Sequence, residues 1–588
     1  MNNPFYVDES KPWFQSQAGW PEQVPKNYDF PEIYEMLAES VKKYPDSPVM
    51  WFLGTFMSFQ EMDSYVNALA TSLHKLGLKK GDVVALVLPN SFQYVISYYA
   101  CASYYACARL GLVVTGVNPT YKPYEALHQF NITGVKAVIV MDALYETLIG
   151  RIIEKYPLRH IIVTGIVDLV RMSNFRKWLG KKLKKIPTGP VPKDAIHYTD
   201  LLNVSPSVPE VRIFPEDPAA YLMTAGTTGV PKAAVLSHFN CVANATQCDL
   251  WIWMGAHGSC NVGVLPLFHS FAMTGVMNTA IKSGMWMMLF PRPPKTKELL
   301  KTICAIAPDH ETYFCGAEVL FQRIADYPDI SKYSIAKKLR ACVSGAGPLH
   351  RPVQERFEKV TEAIIIEAYG LTESSPAISA GPLTNYRITG TAGLPFPGTE
   401  WKIMDIETGT RELPPGENGE IVVAGPQVMV EYLNNPRETA ETIREWDGKR
   451  WLFTGDIGFM DEHGRVTISD RKKQLIKVRG YSVFPKEVEE LIGRHEGVVE
   501  VAAAGLPDSK MGEIIKVWVV IKDNWKGKIT EKELRIWCKD NITHYKVPKL
   551  IEFRKDLPKT LVGKVMRRQL MEADPIYKAY YKDKKTEP

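Results

Sequence analysis

The sequence predicts an α/β protein. It reads as a large N-terminal domain of doubly wound α/β subdomains, carrying a small β-rich subdomain, and then a separate α+β C-terminal domain. Three observations lead there. The first half alternates helical and strand patterns. Residues 393–469 change to short strands parted by Gly/Pro/Asn turns. Beyond Asp470 a charged stretch leads back into mixed helices and strands.

In chain order, EMDSYVNALATSLHKLGL (61–78) spaces its apolar residues three and four apart, the period of a helix with one buried face. GDVVALVLPN (81–90) is a β-branched run closed by a turn, and VKAVIVM (135–141) and HIIVTG (160–165), mostly apolar, are candidates for buried strands. LPFPGTEWKIMD, GENGEIVVAGP and GRVTISD make the β-rich subdomain. The boundary falls at 470–473, in DRKKQLIKVRG; EVEELIGRH, VVEVAAAGL, IKVWVVIKD and EKELRIWCKDN then build a domain over 474–588.

Composition bounds the function. A chain of 588 residues with 45% hydrophobic and 23% charged residues is that of a soluble globular protein with more than one core. The nine cysteines show no CxxC pair and no Cys/His cluster, which argues against a structural zinc site and suits a reducing cytoplasm. MNNPFYVDESKPWFQ is too polar and acidic for a signal peptide, and no apolar run reaches membrane-spanning length.

The charge is uneven. RMSNFRKWLGKKLKKIP (171–187) holds seven Lys/Arg and no Asp/Glu, more than the net +6 of the whole chain, so the remainder is close to neutral and no nucleic-acid partner is expected. Phe175, Trp178, Leu179, Leu183 and Ile186 fall on one face of a helix drawn through this segment, with Lys/Arg around them. Such a segment can lie on an anionic membrane surface; a solvated surface helix is the alternative. A second oddity is SYYACASYYACARLG (97–111), a hexamer repeated in tandem. Six residues turn a helix by about 600°, so the added copy must be looped out or the helix lengthened and repacked.

YLMTAGTTGVPKAAVLSH (221–238) is built to hold phosphate: Gly and Thr in a short loop turn N–H groups and hydroxyls toward phosphate oxygens, and Lys adds a point charge. It is not a Walker loop, because Gly229 is followed by Val-Pro-Lys-Ala.

Together with six further motifs in order, this stretch resembles the adenylate-forming superfamily of acyl-CoA synthetases, peptide-synthetase adenylation domains and luciferases. The others are PLFHSFAMT (266–274), SGAGPL (344–349), EAYGLTESSP (367–376), FTGDIG (453–458), DRKKQLIKVRGYSVFPKEVE (470–489) and PKTLVGKVMRR (558–568), and the likeness runs from about residue 30 to about 575. It implies ATP-dependent activation of a carboxylate to acyl-AMP, then transfer to a thiol, usually that of coenzyme A.

The resemblance assigns roles. Thr224, Thr227, Thr228 and Lys232 wrap the β- and γ-phosphates; Ala225 and Ala233 depart from the usual loop, the first lacking a hydroxyl. Glu373 is the Mg²⁺ ligand, and Thr372 donates to the α-phosphate. Gly345, Ala346 and Gly347, with Tyr369, form the adenine slot, and Glu367, Ala368 and Gly370 belong to the ATP/AMP-binding residues. Asp456 accepts the ribose hydroxyls, with Arg471 beside ribose or phosphate. Lys564 is the adenylation lysine, Lys473 the hinge about which a mobile C-terminal domain turns, and Gly480 the passage for pantetheine. His269, Met273, Gly316 and Val343 border the acyl pocket; Met273 stands where some fatty-acid members carry a gating Trp.

No cation is placed to hold a second carboxylate, and no amino-acid-binding Asp opens the pocket, so a plain apolar acid is expected. The whole is most like bacterial medium- and long-chain fatty acid–CoA ligases. An aromatic or alicyclic acid, loading of a carrier protein, and a non-catalytic fatty-acid-binding relative stay open. The sequence leaves the oligomeric state open, a homodimer being compatible with it.

Overall fold

The computed structural model describes residues 10–584 except 16–17, 23, 25–35, 103–109, 208–210, 225–230, 385, 479–480, 509–510 and 561–564. They form two compact units. One takes the chain up to 401 together with 423–452; the other takes 402–422 together with 453 onward.

The first unit holds two large sheets. In the eight-stranded one, Val83–Val87 lies between the parallel strands Val113–Gly116 and Val135–Met141, and His160–Thr164 follows. Helices Phe92–Ala102 and Pro123–Thr133 make the crossovers. All five residues of Val83–Val87 are buried, which is why the run shows no polar alternation. The helix expected over 61–78 spans Phe59–Lys75. It starts earlier because Ser58 Oγ accepts the Glu61 N–H (3.2 Å) while Glu61 Oε2 accepts the Ser58 N–H (3.0 Å).

The nine-stranded sheet is parallel across Trp286–Leu289, Cys260–Gly263, Thr312–Gly316, Leu339–Ser344 and Ile364–Gly370. Phe314, Phe321 and Phe357 pack edge to face beneath it, with centroids 5.4 and 5.2 Å apart. Register puts Gly316, Ser344 and Glu367 side by side, so the ends of three strands and the loops after them arrive at one place. Ligands of open α/β sheets gather at such carboxyl ends.

The stretch expected to be β-rich is strands and one short helix, Pro436–Thr442. Within the first unit, Ile443–Trp446 folds back antiparallel on 449–452. Within the second, 456–460 pairs with 466–471.

The second unit is centred on Gly512–Ile521, antiparallel to Val498–Asp508 and parallel to Leu550–Arg554. Helices Pro485–Gly493 and Glu531–Asn541 stand where the sequence indicates them. The nearly buried Lys516 meets Asp574 and Glu552, each at 2.6 Å. Burial pulls its pKa down, but the bonds to Asp574 and Glu552 outweigh that and leave it raised, so the ammonium persists.

The basic segment is a capped helix, Asn174–Lys182, with none of its residues buried. Phe175 (66%) and Trp178 (54%) are exposed, and Lys182 Nζ lies 4.9 Å from the Trp178 ring centre. The single helical face expected from the sequence stops short: the helix ends before Leu183, and the N–H of Ile186 turns back to the Gly180 carbonyl (3.0 Å). No helix among the described residues is long and apolar enough to cross a membrane.

The first SYYACA copy is docked. Tyr98 and Tyr99 are buried, Tyr99 O–H donates to Asn278 Oδ1 (2.9 Å), and Ser97 Oγ donates to Tyr198 Oη (3.1 Å). The second copy, 103–108, lies outside the described residues. Yet the N–H of Leu112 reaches the carbonyl of Cys101 (3.1 Å), with Gly111 at φ +59°. Take away six residues and this is the closure that ends a helix ahead of a left-handed glycine. Deleting 103–108, which leaves the same chain as deleting 97–102, is therefore expected to keep or raise the thermal midpoint, because the Leu112–Cys101 bond that the shortened chain needs is already made. A large fall in calorimetry would show that the second copy packs into the fold.

Candidate active site

The phosphate-type loop joins two strands of the first unit. Pro218–Thr224 and Lys232–Ser237 are antiparallel, with Thr224 opposite Lys232, so the loop leaves and returns at one point. Thr227 and Thr228, expected phosphate ligands, lie outside the described residues.

Thr224 Oγ1 donates to Glu373 Oε1 at 3.0 Å. Glu373 stands in a short helical turn, Thr372–Ser374, just after Ile364–Gly370, and its carboxylate is buried. Tyr432 O–H donates to the same oxygen at 2.7 Å. Burial, and then the charge of Glu373, hold the Tyr432 phenol well above its usual pKa, so it remains a donor. Lys232 forms an ion pair with Glu438, and its Nζ lies 4.8 Å from the Tyr432 ring centre. Thr224, Lys232 and Glu373 are thus brought together around Tyr432, a residue no motif had singled out. Glu438, the counter-charge of Lys232, was equally unforeseen; its one sequence signal is the helix start NPRET, where Asn435 caps the Glu438 N–H (3.3 Å).

The residues expected to bind the nucleotide on this sheet converge by register. Glu367, Ala368, Tyr369 and Gly370 end one strand, and Gly345, Ala346 and Gly347 follow its parallel neighbour. Ala346 takes a left-handed conformation, φ +65°. A Cβ on Gly370 would come within 2.0 Å of the Pro376 carbonyl oxygen, so only glycine fits there. Ser344 Oγ is buried with no hydrogen-bond partner among the described residues, an unused valence beside the slot.

The expected acyl-pocket residues belong to the same sheet end. Gly316 and Val343 are on neighbouring strands, His269 caps a short helix by accepting the Phe271 N–H at Nδ1 (3.2 Å), and Met273 is buried one turn on. Phe271, unforeseen, packs against the α-carbons of Gly275 and Gly345: a Cβ on Gly345 would touch its ring at 2.9 Å. Ser270 Oγ is 3.4 Å from Thr372 Oγ1, which links the PLFHSF and LTES motifs directly.

The second unit carries the other expected residues. Asp456 is buried, opposite Arg471 in the strand ladder and paired with it at 2.9 Å. Next to it Glu420 accepts from the Gly455 N–H (3.1 Å) and from Lys472 (2.8 Å). Asp470 accepts the N–H groups of Arg471 (2.7 Å) and Lys486 (2.8 Å); burial still raises its pKa above the ordinary range. Lys473 follows in a single turn, Lys472–Gln474. Gly480 and Lys564 lie outside the described residues. Lys559 and Val565, on either side of the 561–564 segment, form an isolated antiparallel bridge.

Set beside known proteins, residues 37–433 match the family described as AMP-binding enzyme, and 487–564 the AMP-binding enzyme C-terminal domain. A long-chain-fatty-acid–CoA ligase of Bacillus subtilis (strain 168) is 35% identical over 580 residues, covering 97% of this chain and 99% of that protein. 4-Coumarate–CoA ligase 2 of Oryza sativa subsp. japonica is 31% identical over 556 residues, 92% of this chain and 91% of that protein. Among solved structures, ATP-bound MatB from Rhodopseudomonas palustris is similar with a TM-score of 0.78 at 26% identity, covering 92% of this chain and 99% of that one.

Proposed function

The chain belongs to the AMP-binding enzyme family, and on that premise we propose that it is an AMP-forming acid–thiol ligase acting on a medium- to long-chain fatty acid. The carboxylate oxygen of the acid attacks the α-phosphorus of ATP and pyrophosphate leaves. The thiol of coenzyme A then attacks the acyl carbon, losing its proton, and AMP leaves. Both partners of the first step are anions, so the protein must offset charge and align the attack.

The observation that carries the reaction is the convergence of Thr224, Lys232 and Glu373 at the mouth of the threonine loop. Thr224, Thr227, Thr228 and Lys232 would take the β- and γ-phosphates. Glu373 suits a hard cation: one carboxylate oxygen is engaged twice and the other takes no hydrogen bond among the described residues. Magnesium bound there would offset phosphate charge. Asp456 and Arg471 would meet the ribose, Lys564 would bridge carboxylate and α-phosphate, Lys473 would be the hinge, and Gly480 would admit pantetheine.

The substrate rests on the near full-length likeness to the Bacillus ligase. The likeness to the rice ligase favours an aromatic acid as the second reading. Cytoplasmic action with contact to an anionic membrane face through 171–187 completes the proposal, supported by the exposed Phe175 and Trp178 among basic residues.

Thioester formation and pyrophosphate release across acids from acetate to palmitate, with benzoate and 4-coumarate, test the reading. A maximum at octanoate or longer is expected; a maximum at the ring acids would replace the substrate, and no thioester with any acid would overturn the function. Lys564→Ala should abolish acyl-AMP formation yet spare thioester formation from supplied acyl-AMP; equal loss of both half-reactions would remove its assigned role. Replacing Phe175 and Trp178 together by Ser should lower binding to phosphatidylglycerol vesicles while octanoate turnover holds; unchanged vesicle binding would refute the membrane contact.

A further inference from the structure

Glu373 is held from two sides. Thr224 and Tyr432 both donate to Oε1, and Oε2 takes no hydrogen bond among the described residues. A carboxylate with one oxygen doubly engaged cannot spin to present that oxygen elsewhere, so the other is offered in a fixed direction. Tyr432 is placed independently of Glu373. Strand Glu431–Tyr432 is antiparallel to Lys232–Ser237, with Tyr432 opposite Ala234. The N–H groups of Val430 and Leu433 bond to the carbonyls of Val235 (2.9 Å) and Ala233 (2.8 Å), and the Tyr432 N–H bonds to Thr439 Oγ1 (3.0 Å). Close by, the Met429 N–H reaches the Glu373 carbonyl (2.8 Å). The segment 429–433 therefore grips the backbone of residue 373 with one bond and its side chain with another.

We propose that Tyr432 is a positioning residue of the metal–phosphate site: its O–H fixes one oxygen of Glu373 so that the other faces the divalent cation accompanying ATP. The inference rests on Glu373 being the cation's ligand, as read above. Its ring also lies beside Lys232, so one side chain touches both the cation's carboxylate and the phosphate lysine. Groups that orient a metal ligand in this way cost about 10–100-fold in metal affinity when removed. A packing role alone would need the ring and not the hydroxyl.

The test uses the full-length protein with Tyr432→Phe, which keeps the ring. Mn²⁺ binding is followed by the loss of free-ion electron paramagnetic resonance signal, in the presence of α,β-methylene-ATP and no acid. The expected result is a rise of about tenfold in the Mn²⁺ concentration at half-saturation, with the thermal midpoint and the KM for the fatty acid unchanged. Unchanged half-saturation overturns the proposal, as does a loss of Mn²⁺ binding accompanied by an equal fall in thermal midpoint. Glu373→Gln separates the two layers. If it shifts half-saturation and Tyr432→Phe does not, only the positioning role falls. If Glu373→Gln leaves half-saturation at the wild-type value, the carboxylate is not the ligand, and both the proposal and the reading beneath it fall.

Discussion

The register of the parallel strands is the constraint on which the site depends. Once Gly316, Ser344 and Glu367 are aligned by backbone hydrogen bonds, the loops after them have no freedom to separate. A slip of one residue would carry Val343 and Ile366 to the opposite face, where Cys342 and Ile365 are already packed, so both buried faces would lose their fit. The nine-stranded core therefore sets the site geometry from below, and the small residues at its rim leave room above. The same logic holds in the eight-stranded sheet, where pairing of Thr224 with Lys232 closes the base of the threonine loop.

Much of the fold was legible. Val135–Met141 is the strand its sequence announces, because five consecutive apolar positions after Lys136 carry a texture that double burial favours. The helix at 485–493 follows from Pro at its first turn and a clean apolar stripe. What was not legible is what arises only in three dimensions. The compact units divide the chain inside strands 400–404, 419–424 and 449–460, and no local signal marks those points.

The site divides along the same line. Thr224, Lys232 and Glu373 were nameable because each lies in a motif whose local chemistry is distinctive. Tyr432 and Glu438 were not, since EYLNNPRET is an ordinary turn and helix start; their importance appears only when the strand at 431–432 is laid against one two hundred positions earlier. Phe271 escaped for a related reason: as one aromatic in an apolar motif it reads as core, and only its approach to Gly275 and Gly345 sets it apart. The helical face drawn through 171–187 failed at Leu183 because periodicity continues on paper where the backbone has already turned.

The Lys232–Glu438 pair has a consequence for competition at the loop. Lys232 stands where the strand resumes after the threonine loop, and its ammonium is already seated on the carboxylate of Glu438. An anion that seeks that ammonium must first displace a carboxylate, so part of its attraction is spent on breaking the pair. Glu438 is thus a rival for Lys232 as well as its counter-charge, and selects for anions that carry more charge than one carboxylate.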